Sequence, residues 1–200
     1  MIKKIIVFIT VFSSVFAQYS VGDVVNVSDQ SLSQSTCYPG NGYDIGDLWK
    51  LGDWNGATNG GNYNVIFIDM SASWWGSCFT GQNGPAGYEH QDYEGNNNVK
   101  FLEAFSDPGQ PYSCTQWGNM PSGGSSQIVT DNGGAIYNMF PNCEGNSCYY
   151  PACVFIDHEM RVYDMMGNAG SWSIGSRIDQ MLEECGTLCS GDGGCSLSSG

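Results

Sequence analysis

Apolar residues gather in a few stretches of this chain, and each stretch has its own period. Residues 63–70 read Tyr-Asn-Val-Ile-Phe-Ile-Asp-Met, a nearly continuous β-branched and aromatic run. Such a run predicts a strand covered on both faces. Residues 99–106 predict a second strand, closed by the turn signal Asp107-Pro108-Gly109. Residues 151–157 predict a third, which His158-Glu159-Met160 turns into an antiparallel hairpin with 161–165. Behind a candidate N-cap at Ser173, Ile174, Ile178, Met181 and Leu182 recur at helical spacing and predict a helix over 173–185.

Between these lie weaker signals. Helices are expected around 86–93 and over 135–140, a short segment around 114–117, and an apolar pair at Ile128-Val129. The order is strand, helix, strand, helix, strand, hairpin strand, helix. Early alternation implies parallel strands, and the late hairpin adds an antiparallel edge. The expectation is an α/β three-layer fold, with a central mixed sheet, a C-terminal β-hairpin and flanking helices. Residues 18–62, rich in Gly, Asn, Asp and Ser from residue 20, read as an irregular N-terminal extension of the domain, a short strand or hairpin and then loops. The domain proper runs over 63–189, and 190–200 is a flexible Gly/Ser-rich tail.

The first 17 residues change the picture. Lys3 and Lys4 precede the apolar run 5–12, and Val15-Phe16-Ala17 offers a cleavage site, the pattern of a signal peptide. The run is too short to span about 30 Å of hydrocarbon at about 1.5 Å per residue. The mature chain is expected outside the cytoplasm, secreted or periplasmic. Removing 1–17 takes away two of six cations and none of twenty acids, leaving a formal charge of −16. Nucleic acid needs cations to neutralise its phosphates, and an anionic membrane surface repels such a chain. Neither is expected as a partner.

All nine cysteines lie in the mature part, which an oxidising exterior favours as disulfides. Their odd number leaves at least one thiol over.

Ser73-Trp74-Trp75-Gly76-Ser77-Cys78 follows the first strand of the domain. A Trp-x-Gly-x-Cys segment there, within this order of elements, resembles the thioredoxin-like superfamily, closest to its exported redoxin-type thiol–disulfide oxidoreductases. That family carries Trp-Cys-Gly-Pro-Cys, so Trp75 stands where the attacking cysteine is expected. Three further features keep register with the resemblance. Asp69 lies six residues before that position, where the family places a buried acid. Pro151 opens a strand as the family's cis-proline does, and a hairpin and helix close the chain. The match covers roughly 60–185.

The resemblance implies thiol–disulfide exchange on protein or peptide substrates, without a cofactor. Cys78 is then the remaining active-site thiol, with Asp69 as proton partner and Pro151 shaping the substrate groove. Independently of any family, a thiol near a helix N-terminus is favoured as thiolate, while an indole at position 75 cannot attack a disulfide. Cys114, after the second strand, is a possible redox partner for Cys78, and Cys153 another. Cys143 and Cys148 are placed to close a small ring, and Cys185, Cys189 and Cys195 a C-terminal staple. A zinc site from Cys143, Cys148, Cys153 and His158 fits on residue type but ranks below disulfides in an exported chain.

Other readings carry their own signatures. Trp74, Trp75, Tyr88, Tyr112 and Trp117 would make an aromatic binding patch beside a redox-silent motif, although core packing is expected for all but Trp75. UGA is read as Trp in some genetic codes and as selenocysteine in others, so the codon for position 75 bears on catalysis. A peroxiredoxin-type site is disfavoured, because no proline precedes Cys78 in its loop and Arg161 and Arg177 sit late in the chain. His158 reads as a solvated turn residue.

Overall fold

The computed structural model describes residues 18–82, 90–121, 125–131, 133–167 and 171–190. Its centre is a mixed sheet. β3 (Val65–Ser71), β4 (Val99–Phe105) and β5 (Gln127–Thr130) run parallel, and β8 (Ala152–Ile156) pairs antiparallel with β3. β9 (Val162–Met166) adds the hairpin edge. β1 (Gln34–Tyr38) and β2 (Leu48–Trp49) extend the other side, giving the order β2-β1-β5-β4-β3-β8-β9. A separate two-stranded hairpin joins β6 (Asn142–Glu144) to β7 (Ser147–Tyr149).

Every residue of β3 is buried, as its unbroken apolar run requires of a strand covered on both faces. Side chains alternate between the faces. Ile66, Ile68, Met70, Leu102, Val154 and Ile156 face one core, shared with Ile136, Met139 and Phe140. Val65, Phe67, Phe101 and Phe155 face the other, against Ile174, Ile178 and Met181 of the last helix α5 (Ser171–Cys185). Burying such a side chain is worth about 1.5–3 kcal/mol, so this stripe fixes α5 across the sheet. A third cluster joins Cys78, Phe105, Cys114, Trp117 and Ile128. It lies under α2 (Gly76–Gln82) and α3 (Cys114–Gly118), and α4 (Ala135–Met139) belongs to the first face.

The stretch 18–62, expected to hold a short strand or hairpin and then loops, contains α1 (Val27–Gln30), the antiparallel pair β1 and β2, and a 3₁₀ turn at Leu51–Trp54. Tyr19, Val25, Trp49, Leu51 and Trp54 complete the first core. β1 is five mostly polar residues and β2 only two, too few to show a period. The last helix begins two residues before the expected cap, leaving Ser173 inside it, because an apolar stripe marks a helix's buried face better than its first turn. The turn at 158–160 stands as read. Met160 takes φ +62° and Asp157 Oδ1 accepts from the amides of Glu159 and Arg161. Among the described residues no helix is long and apolar enough to cross a membrane.

Candidate functional site

At the C-terminal end of β3 the chain turns through Ala72 and Ser73 into α2. The Trp75 amide donates to the Ala72 carbonyl, and the Cys78 amide to that of Trp75. Ser73 anchors the turn from outside: its amide donates to Asp107 Oδ1 at 2.9 Å and its hydroxyl to the Gln110 carbonyl at 2.6 Å. This leaves Trp74 58% and Trp75 41% exposed, while Cys78 is only 1% exposed.

Cys78 Sγ accepts from the Ala72 amide at 3.4 Å. Burial pushes its thiol up to about 12; the Ala72 amide opposes this, and the charges of Asp69, Glu103 and Asp107 add to it. Cys78 is therefore a protonated thiol at neutral pH. Its route to the thiolate requires a nearby base.

Asp69 supplies one. Its carboxyl is buried, and burial raises it to about 6, with the Cys153 thiol pulling the other way. Cys153 is its register partner on β8, and Cys153 Sγ donates to Asp69 Oδ1 at 3.5 Å. On the other side, Asp69 is the register partner of Glu103, also buried, whose Oε1 receives Ser71 Oγ and Trp117 Nε1. Pro151 follows a cis peptide bond two residues before Cys153.

Glu103 was not singled out by the sequence. Its signal is a lone acid in the apolar run 99–105, at a position of the same parity as Phe101 and Phe105.

The cysteines sort themselves by distance in space. Cys37 is bonded to Cys114, Cys143 to Cys148, and Cys185 to Cys189. Cys114 is thus corrected as a redox partner of Cys78: β1 brings Cys37 to it across 77 residues. The ring at Cys143 and Cys148 and part of the C-terminal staple are present, whereas Cys195 lies outside the described residues. Cys78 and Cys153 are in no disulfide among the described residues. With Cys143 and Cys148 consumed in a disulfide, the four-residue zinc set is not assembled, and no cluster of metal-ligating residues occurs among the described residues.

The aromatic patch also changes. Trp117 is buried and stacks on Phe105, and Tyr112 packs half-buried against the same cluster. Trp74, expected in the core, instead stands outside with Trp75 and meets Tyr150 edge-on at 6.3 Å. Tyr88 lies outside the described residues.

No family model and no curated protein matches the chain. Solved structures do. dsbF from MTB superposes with a TM-score of 0.57 at 15% identity, over 77% of this chain and 97% of its own. A putative thiol:disulfide interchange protein DsbE from Chlorobium tepidum gives 0.55 at 17%, over 82% and 98%. Peroxiredoxin Q from Xanthomonas campestris gives 0.54 at 11%, over 82% and 100%. The fold is thioredoxin-like.

Placed in the thioredoxin-like fold, the motif 74–78 occupies the turn from a central strand into a helix. The buried carboxyl of Asp69 lies beneath it and the cis-proline strand beside it. Relatives at such low identity share architecture, so the chemistry has to be argued from this chain's own residues.

Proposed function

We propose that this chain is an exported thiol–disulfide exchange protein whose reactive cluster is Cys78, Asp69 and Cys153 beside Pro151. One observation carries the reading. Of the cysteines in the described residues, the two outside any disulfide are both tied to the same buried carboxyl, Cys153 by a hydrogen bond to Asp69 and Cys78 by the charge of Asp69 acting on its thiol. A carboxyl held near 6 takes a proton from a thiol and returns it within the physiological range.

The proposed step is balanced without a cofactor. The Cys78 proton passes to Asp69 as Cys78 Sγ attacks a peptide disulfide. A Cys78–substrate disulfide forms, and the departing substrate sulfur takes the proton back. A small thiol from solution then attacks Cys78 Sγ and the second substrate thiol leaves; a second small thiol attacks the resulting mixed disulfide, returning Cys78 to the thiol and leaving the small thiol oxidised as its own disulfide. Trp75 takes no part in the bond exchange; with Trp74 it offers an apolar surface to the peptide. The buried start of Cys78 makes local opening of the first turn of α2 part of the cycle.

The assay is turnover of a peptide disulfide in the presence of a small thiol. Cys78→Ala is expected to lower it at least tenfold, and full turnover in that variant overturns the reading. The exposed Trp74 and Trp75 favour a second reading, a redox-silent peptide-binding module. Saturable quenching of tryptophan fluorescence by a cysteine-free peptide, with no disulfide turnover, would select it.

A further inference from the structure

We propose that Glu103 is a positioning residue for exchange at Cys78: it forms a buried carboxyl pair with Asp69 and carries the negative charge that keeps the proton on Asp69. The inference deepens the exchange reading and rests on it for the reaction that the pair serves.

Sheet register sets up the pair. Asp69 on β3 and Glu103 on β4 are register partners on parallel strands, whose backbones run about 4.8 Å apart. Both residues are buried. Their positions share the parity of Phe67, Phe101 and Phe105, so both side chains leave the same face of the sheet. The Ser71 hydroxyl donates to Glu103 Oε1. Ser71 lies two residues beyond Asp69 on that face, so the Glu103 carboxyl reaches across to β3 beside Asp69.

Hydrogen bonding separates the two roles. Glu103 Oε1 also accepts from Trp117 Nε1, a group that can only donate. Two donors on one carboxylate oxygen favour the ionised form. Asp69 Oδ1 accepts from the Cys153 thiol at 3.5 Å, a weaker donor than either. The charge therefore settles on Glu103 and the proton on Asp69.

The surroundings offer no cation to offset a second charge. Arg161 pairs with Glu159 and Arg177 with Asp164. Lys50 is exposed, and Lys100, of opposite parity to Glu103, lines a cleft with Asn41 and Asp53. The titratable groups around the pair are Cys153 of β8, Cys78 of α2 and Asp107 after β4. From β5 the register partner of Glu103 is Ile128, and from α5 come Ile174 and Ile178. Two like charges in such an interior repel strongly, so Asp69 ionises late beside Glu103. The Glu103 charge acts in the same sense on the Cys78 thiol, keeping it protonated. Asp69 thereby becomes a stronger base for the Cys78 proton once it is ionised.

The test is carbon NMR of the folded chain, following the carboxyl carbons of Asp69 and Glu103 from about pH 4 to 8. In the parent, Asp69 should titrate while Glu103 keeps the shift of an ionised carboxylate. Glu103→Gln retains an acceptor for Ser71 and Trp117 but removes the charge. It should lower the Asp69 midpoint by at least about one pH unit. The pH at which peptide-disulfide turnover rises should fall with it, a change that lost packing would not give. An unchanged Asp69 midpoint in Glu103→Gln overturns the proposal. So does a Glu103 carbon that titrates at or above the Asp69 midpoint in the parent, a readout that needs no variant to fold. If the midpoint falls while Cys78→Ala retains full turnover, the exchange reading falls and the carboxyl pair stands. If Cys78→Ala loses turnover while the midpoint stays, only this inference falls.

Discussion

Asp69 and Cys153 are register partners on the antiparallel strands β3 and β8, and their side chains meet at 3.5 Å inside the protein. A carboxyl raised in the folded state binds its proton more tightly there than in the unfolded chain. Between its ordinary value of 3.8 and about 6, the folded state therefore holds more protons. Stability from this group is full at acid pH and is lost as pH rises through 6. Asp69→Asn removes the charge that neutral pH forces into the interior. The variant should be more stable at pH 7.5, by up to about 3 kcal/mol, and equal to the parent near pH 4. Denaturant titrations at the two pH values check this, and a destabilised variant at pH 7.5 would contradict it.

The same group sets a pH profile for exchange. Asp69 must be ionised to accept the Cys78 proton, so turnover should rise through about pH 6 to a plateau. Asp69→Asn should flatten that rise. Rates measured from pH 4.5 to 8 with substrate well below KM give the test.

Burial of Cys78 predicts slow chemistry with small alkylators. A thiol held near 12 instead of 9 carries about a thousandfold less thiolate at neutral pH. Iodoacetamide should modify Cys78 about 10³-fold more slowly in the folded chain than in denaturant. Comparable rates in the two states would show that the first turn of α2 opens freely.

Trp75→Cys restores two thiols three residues apart at the motif. Trp75 is 41% exposed, so the new side chain faces solvent and little core packing is lost. Reduction of a peptide disulfide should rise at least tenfold over the parent. Mass mapping of the oxidised variant should find the introduced thiol bonded to Cys78. Sequencing the codon for position 75 belongs beside this experiment, because UGA there would bear on which residue the natural chain carries.

The disulfides should differ sharply in what they contribute. Cys37–Cys114 closes a separation of 77 residues, and Cys185–Cys189 one of 4. Loop-closure entropy assigns the first about 4.5 kcal/mol and the second about 2 kcal/mol. Replacing Cys37 and Cys114 together by Ala should lower the denaturation midpoint about twice as far as the same change at Cys185 and Cys189. Equal effects would mean that local packing, rather than chain entropy, dominates both.

How far the sequence reached depended on the range of the forces involved. β3, β4 and β8 were readable because a doubly covered strand must be apolar at nearly every position, and the stripe of α5 because a buried helix face repeats at 3.6 residues. The place of Asp69, nine residues before Cys78, came from the register of the thioredoxin-like resemblance and not from local spacing. The two short-range disulfides were legible from spacing, but tertiary structure alone decided the long-range sulfur contacts. A disulfide needs two Cα atoms within about 7 Å, and nothing along the chain marks Cys37 as the neighbour of Cys114. The pairing of β3 with β8 brought Cys153 to Asp69 across 84 residues, and that of β3 with β4 set Glu103 beside the same carboxyl. Those contacts arise from how strands order within the sheet, a choice made by packing both of its faces at once, and no local pattern encodes it.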